Sequence, residues 1–143
     1  MTKLSIVLSF DLDAETLWLG RDPENARRPV ALSQGRYGPR EGLPRILKLL
    51  ARYELPATFF VPGMVCEMHP YAVESILEAG FLIEHHSYSH AWLDGLTADA
   101  EREELERGLE VVTAVTGRRP IGYRSPAAEF SPVTVELLEE YGL

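Results

Sequence analysis

Leu4-Ser5-Ile6-Val7-Leu8-Ser9-Phe10-Asp11-Leu12-Asp13 decides how the rest of this chain is read. The run from Leu4 to Phe10 is rich in β-branched and apolar residues, which predicts a strand. It stops on two aspartates. A buried strand that ends in acids is how α/β proteins present a site, because loops leaving the C-terminal strand ends carry the chemistry. Carboxylates at i and i+2 on a strand point to one face, and they repel each other unless a cation sits between them.

The same pattern returns three times. Ala57-Thr58-Phe59-Phe60-Val61 reads as a second strand, closed by Pro62-Gly63. Phe81-Leu82-Ile83-Glu84 reads as a third and runs straight into His85-His86. Ile121-Gly122-Tyr123 reads as a short fourth, followed by Arg124. Helices are expected between them. Pro44 opens one that continues to about Tyr53 with Ile46, Leu47, Leu49 and Leu50 as its apolar stripe. Tyr71 to Ala79 is the next, stopped by Gly80. Thr97, with acids behind it, starts a third that Gly117 ends, and Ser131-Pro132 caps a fourth. Asp22 to Gly42, with three prolines and three glycines, reads as a loop. Strand–helix alternation implies a parallel sheet, open or closed into a barrel. Asp11, Asp13, His86, His90 and Arg124 are all expected at the C-terminal ends of its strands.

Composition narrows the class. The chain has 143 residues, 22 acidic against 14 basic, and 45% hydrophobic residues. That fits one soluble domain and argues against nucleic acid as a partner. The apolar run near the start is too short to span a membrane, and no cleavage site follows it. With Cys66 as the single cysteine, no intrachain disulfide is possible. The expected compartment is the cytoplasm, the expected partner a small molecule or glycan, and self-association is left open.

His86-Ser87-Tyr88-Ser89-His90 supplies two imidazoles four positions apart. Added to one carboxylate, they make a three-ligand set that leaves a coordination position free for water. The other carboxylate is then available as a base. Arg124 can clamp a carboxylate such as Asp11. Glu15, Trp18, Tyr88, Trp92 and Glu129 are candidate pocket residues. His85 is expected to face the other side of its strand, and His69 to be a surface or cap residue.

Together these motifs resemble the polysaccharide deacetylase family, also called the NodB-homology domain or carbohydrate esterase family 4. The resemblance rests on Ser9-Phe10-Asp11-Leu12-Asp13-Ala14-Glu15, on His86-Ser87-Tyr88-Ser89-His90 and on Arg124-Ser125-Pro126-Ala127, with Leu55 to Gly63 similar to the family's second strand. It implies Asp11 as base, Asp13, His86 and His90 as ligands of a divalent metal (Zn2+ first, then Co2+, Ni2+ or Fe2+), and Arg124 as the residue that orients the base. It implies hydrolysis of a non-peptide C–N bond, first of all deacetylation of an N-acetylated sugar. The fold implied is a distorted barrel of seven or eight βα units, of which residues 1–143 would be the first four. A later motif carrying an acid histidine would lie beyond Leu143. Leu12 separates aspartates that most members have adjacent, and Ala127 replaces an aromatic. That variant resembles cytosolic peptidoglycan deacetylase-like proteins and cyclic imidase and allantoinase relatives, so a cyclic imide or ureide is the alternative substrate. An inactive metal-binding fragment is the alternative from another class.

Overall fold

The computed structural model describes residues 4–143. Three parallel strands in the order β1-β2-β3 form its sheet: β1 (Ser9–Asp11), β2 (Thr58–Val61) and β3 (Leu82–His85). The register sets Asp11 beside Phe60, and Phe60 beside Glu84. Because every strand runs the same way, every C-terminal end lies on one edge of the sheet.

β1 is shorter than the sequence implies. Leu4, Ile6 and Val7 are exposed, and the ladder to β2 begins only where Thr58 N–H donates to Leu8 O. The fourth strand is reduced to one bridge between His85 and Tyr123. Glu84 explains this. Its buried carboxylate accepts the Ile121 and Gly122 amides, each at 2.9 Å, and so takes donors a ladder would need. His85 N–H still donates to Gly122 O and Arg124 N–H to His85 O, which brings the segment to the sheet edge.

Helices fill the intervals. Residues 22–42 are not a loop. Pro23–Arg27 forms a 3₁₀ turn under an Asp22 cap, α2 spans Pro29–Gly35, and Gly38–Gly42 makes a π turn; a short α1 (Thr16–Leu19) precedes them. Pro23, Pro29 and Pro39 stand in first turns, where a missing N–H costs nothing. α3 (Leu43–Tyr53) matches expectation. The segment after Pro62 forms a further helix, α4 (Gly63–Met68), before α5 (Pro70–Glu78). α6 (Ala98–Thr116) is capped by the Thr97 hydroxyl and ends at Gly117 in left-handed backbone. α7 (Thr134–Tyr141) closes the described chain, with the Ser131 hydroxyl accepting the Val133 amide ahead of it.

The core lies on one face of the sheet. Phe59, Val61 and Ile83 pack against Leu43 and Leu50 of α3, Val65 of α4, Ile76 of α5 and Val112 of α6. Phe59 stacks on Phe10 with centroids 5.4 Å apart. A second cluster joins Leu105 and Leu109 of α6 to Leu137 of α7. No helix among the described residues is long and apolar enough to cross a membrane.

Candidate metal centre

The sheet's C-terminal edge brings Asp13, His86 and His90 together, with one ligand atom from each within 4.8 Å of the others. Asp13 Oδ1 lies 3.4 Å from His86 Nε2, and Oδ2 lies 3.6 Å from His90 Nε2. These gaps are too long for good hydrogen bonds. Among the described residues, Asp13 Oδ1 and His90 Nδ1 are buried with no hydrogen-bond partner. A buried oxygen without a donor is costly, and a cation among the three side chains would remove that cost.

Each residue is held by its surroundings. Asp13 follows β1 in a turn where its carbonyl accepts the Thr16 amide at 2.9 Å, and Ala14 has φ of +48°. His86 follows β3, and its Nδ1 lies 2.6 Å from Arg124 O. A carbonyl only accepts, so Nδ1 carries the proton and the Nε2 lone pair faces Asp13. Burial lowers the pKa of His90, with the Asp13 charge opposing, so the neutral ring that ligates a metal is favoured. The donor set, two imidazoles and a carboxylate, suits Zn2+ and its neighbours in the transition series.

Asp11 stands beside this group without joining it. The Arg124 guanidinium donates through one nitrogen to Asp11 Oδ1 and through the other to Ser9 Oγ at 2.6 Å. Ser9 and Asp11 share a strand face, being two apart. Arg124 also lies over the Phe60 ring, 4.1 Å from its centroid. The clamp on Asp11 is single, not bidentate, because Ser9 takes the second nitrogen.

A groove of ≈ 700 Å³ contains Asp11, Asp13, His86, His90 and Arg124, walled by Leu17, Phe60, Trp92, Tyr123 and Phe130. Of the five expected pocket residues, Trp92 lines it. Glu15 does not: it is 2% exposed, with Oε2 2.6 Å from His69 Nε2 and Oε1 taking Arg36 Nε at 2.8 Å. Burial opposes its ionisation, but the bonds from His69 and Arg36 outweigh this and hold its carboxyl below the ordinary range. His69 is therefore buried, and the surface placement is corrected, although it does cap the α4–α5 junction. Trp18 lies on α1 outside the groove, its carbonyl accepting Asn25 Nδ2. Tyr88 is buried on the far side of its loop, bonded to Glu67. Glu129 is exposed, and its carbonyl accepts the Ser125 hydroxyl. His85 is buried behind the sheet edge as expected, with Nε2 donating to Leu105 O; burial pushes its pKa down to about 4.

Backbone strain gathers at this edge. Ala14, Ser87, His90, Ala127 and Ala128 all have positive φ, a conformation that costs non-glycine residues energy and clusters at functional sites. Ala127 and Ala128 line the groove. Ser9, Phe60 and Phe130 carry no catalytic signature in the sequence, although strand alternation places Ser9 on the same face as Asp11.

A profile described as "Polysaccharide deacetylase" matches residues 27–143. A peptidoglycan deacetylase from Helicobacter pylori is 36% identical over 140 residues, covering 98% of this chain and 47% of the relative. The crystal structure of a protein from Mycobacterium smegmatis, provisionally described as a polysaccharide deacetylase, superimposes with a TM-score of 0.89 at 43% identity, over 95% of this chain and 48% of that one. The crystal structure of PuuE allantoinase gives 0.83 at 23% identity, over 95% and 50%, a likeness of fold. The chain thus spans about half the length of these proteins.

Proposed function

This chain belongs to the polysaccharide deacetylase family, and we propose that it carries the water-activating site of a metal-dependent hydrolase of non-peptide C–N bonds, acting first on an N-acetylated sugar or glycan. One observation carries this reading: Asp13, His86 and His90 converge beside an Asp11 that is separately held by Arg124. The two aspartates are thereby divided between two tasks.

Asp13, His86 and His90 would hold the ion. A divalent cation there, Zn2+ in the first instance, supplies Lewis-acid polarisation of the acyl oxygen and lowers the pKa of water. Asp11 is the base: its carboxylate takes the proton that attacking water releases. Arg124 fixes the direction in which that carboxylate points, with Ser9 fixing Arg124 in turn. His86 keeps its Nε2 forward because Arg124 O holds its other nitrogen.

A second substrate class, a cyclic imide or ureide, is favoured by the groove wall at Ala127 and Ala128. Both side chains are small, Ala127 stands where the family resemblance implies an aromatic, and together they leave room for a compact ring.

The test is an assay of the Zn2+-loaded protein on N-acetylglucosamine oligomers, peptidoglycan fragments and cyclic ureides. Asp11→Asn should lower turnover by roughly 10²–10⁴-fold and retain the metal. His86→Ala/His90→Ala should lose both. An active Asp11→Asn removes the base assignment, and a double variant that keeps its metal removes the ligand assignment. Turnover confined to the ureides selects the second class, and metal binding without any turnover would leave a metal-binding protein.

A further inference from the structure

We propose that Glu104, on α6 and outside the groove, is a positioning residue that sets the spacing of His86 and His90 for the metal; the inference rests on the metal reading above. The two histidines are joined by Ser87-Tyr88-Ser89, and this link is strained. Ser87 has φ of +63° and His90 of +64°, so the loop needs outside contacts to stay in that conformation. Glu104 provides them. Oε2 accepts the Ser87 hydroxyl, the Tyr88 amide at 3.1 Å and the Ser89 amide at 2.8 Å, and Oε1 accepts the Ser89 hydroxyl at 2.7 Å. One carboxylate thus takes every side-chain hydroxyl and two of the three amides between the ligands, Tyr88's phenol apart.

The rest of that face of α6 serves the same contact. Gly108, one turn later, lies so close to the loop that a Cβ there would come within 2.5 Å of His85 Cε1 and 2.8 Å of Ser87 O. Glycine inside a helix is intrinsically unfavourable, and here it lets the helix carry Glu104 within reach. Leu105, adjacent to Glu104, accepts His85 Nε2 at its carbonyl at 2.9 Å, which anchors the residue before the first candidate ligand. Groups behind metal-binding residues orient them and typically change metal affinity by roughly 10- to 100-fold when removed.

The experiment is titration of the full chain with Co2+, following both the affinity and the visible absorption of the bound ion, which reports ligand geometry. Glu104→Ala should weaken Co2+ binding roughly 10- to 100-fold and alter the spectrum. Glu104→Gln, which keeps an acceptor oxygen, should recover most of both. Glu101→Gln is the control: among the described residues its carboxylate, on the same helix, bonds only Ser131 and Thr134, so this variant should lose thermal stability and keep the parent's affinity and spectrum. Should circular dichroism show Glu104→Ala unfolded, Ser89→Ala decides, with a few-fold loss expected. Parent-like binding by the folded Glu104→Ala, or by Ser89→Ala in its place, overturns the proposal while Co2+ loss in His86→Ala leaves the metal reading intact. A parent chain that takes up no Co2+ overturns both.

Discussion

Arg124 serves both halves of the site: its guanidinium donates to Asp11, and its backbone oxygen accepts the Nδ1–H of His86 at 2.6 Å. Only the first contact needs an arginine. Arg124→Ala should therefore lower kcat roughly 100-fold, the cost of letting a catalytic group drift by about an ångström, and leave metal stoichiometry unchanged because the carbonyl remains. Arg124→Lys keeps the charge but has no planar fork to reach Asp11 and Ser9 at once, so it should recover little. The check is kcat beside metal content for each variant. Metal lost from Arg124→Ala would mean that the backbone contact depends on the side chain.

Gly20 gives a second test from the opposite side of the site. It ends α1, and a Cβ added there would lie 2.1 Å from the carbonyl oxygen of His90. That neighbour is backbone and cannot rotate away. Gly20→Ala must push α1 off the loop, at a cost of about 1–3 kcal/mol, and should weaken metal binding in the same variant. Urea unfolding and a metal titration measure the two effects. An unfolding midpoint equal to the parent's would show that α1 is free to move.

The buried pair of Glu15 and His69 joins the turn after Asp13 to the α4–α5 junction, and Arg36 adds α2 to the same carboxylate. Glu15→Ala leaves a buried imidazole without its partner and should destabilise the protein by about 1–3 kcal/mol. The folded-state pKa of Glu15 is depressed, so its stabilisation is present above the unfolded value and is lost as pH falls through the folded one. The difference in unfolding free energy between parent and Glu15→Ala should accordingly shrink as the solution is acidified below about pH 4.5. A difference that stays constant down to pH 3 would sink the assignment.

Glu15 also shows where sequence reading stops. Order along the chain located Asp11, Asp13, His86, His90 and Arg124, because strand ends in a parallel sheet share an edge whatever the details. It also placed α3 and α6, whose apolar spacing and Thr97 and Gly117 ends are local signals. Glu15, Tyr88, His69 and Glu104 could not be sorted this way. Each is settled by a partner 15 to 54 positions away, and an acid two residues from a candidate ligand looks the same in sequence whether it faces the groove or a buried histidine. The stretch 22–42 looks like a loop in sequence for another reason: its prolines sit at helix starts, where they break nothing. The fourth strand was lost to Glu84, whose side chain competes with the ladder for amides.

Cys66 offers a measurement independent of the site. It lies on α4, 1% exposed, within the main core cluster, and burial pushes its thiol up to about 12 from 9.0. Only the thiolate reacts with alkylating agents. At pH 8 the native thiolate fraction is therefore roughly a thousandfold below that of the unfolded chain, before any steric protection. Iodoacetamide should modify Cys66 at a rate set by opening of the core, accelerate on addition of urea, and climb about tenfold per pH unit above pH 8 where reaction occurs without unfolding. The raised pKa stabilises the fold below pH 9, and that stabilisation is lost as pH rises from there toward 12. Rapid alkylation at pH 8 without urea would show that the α4 side of the core opens far more readily than its packing implies.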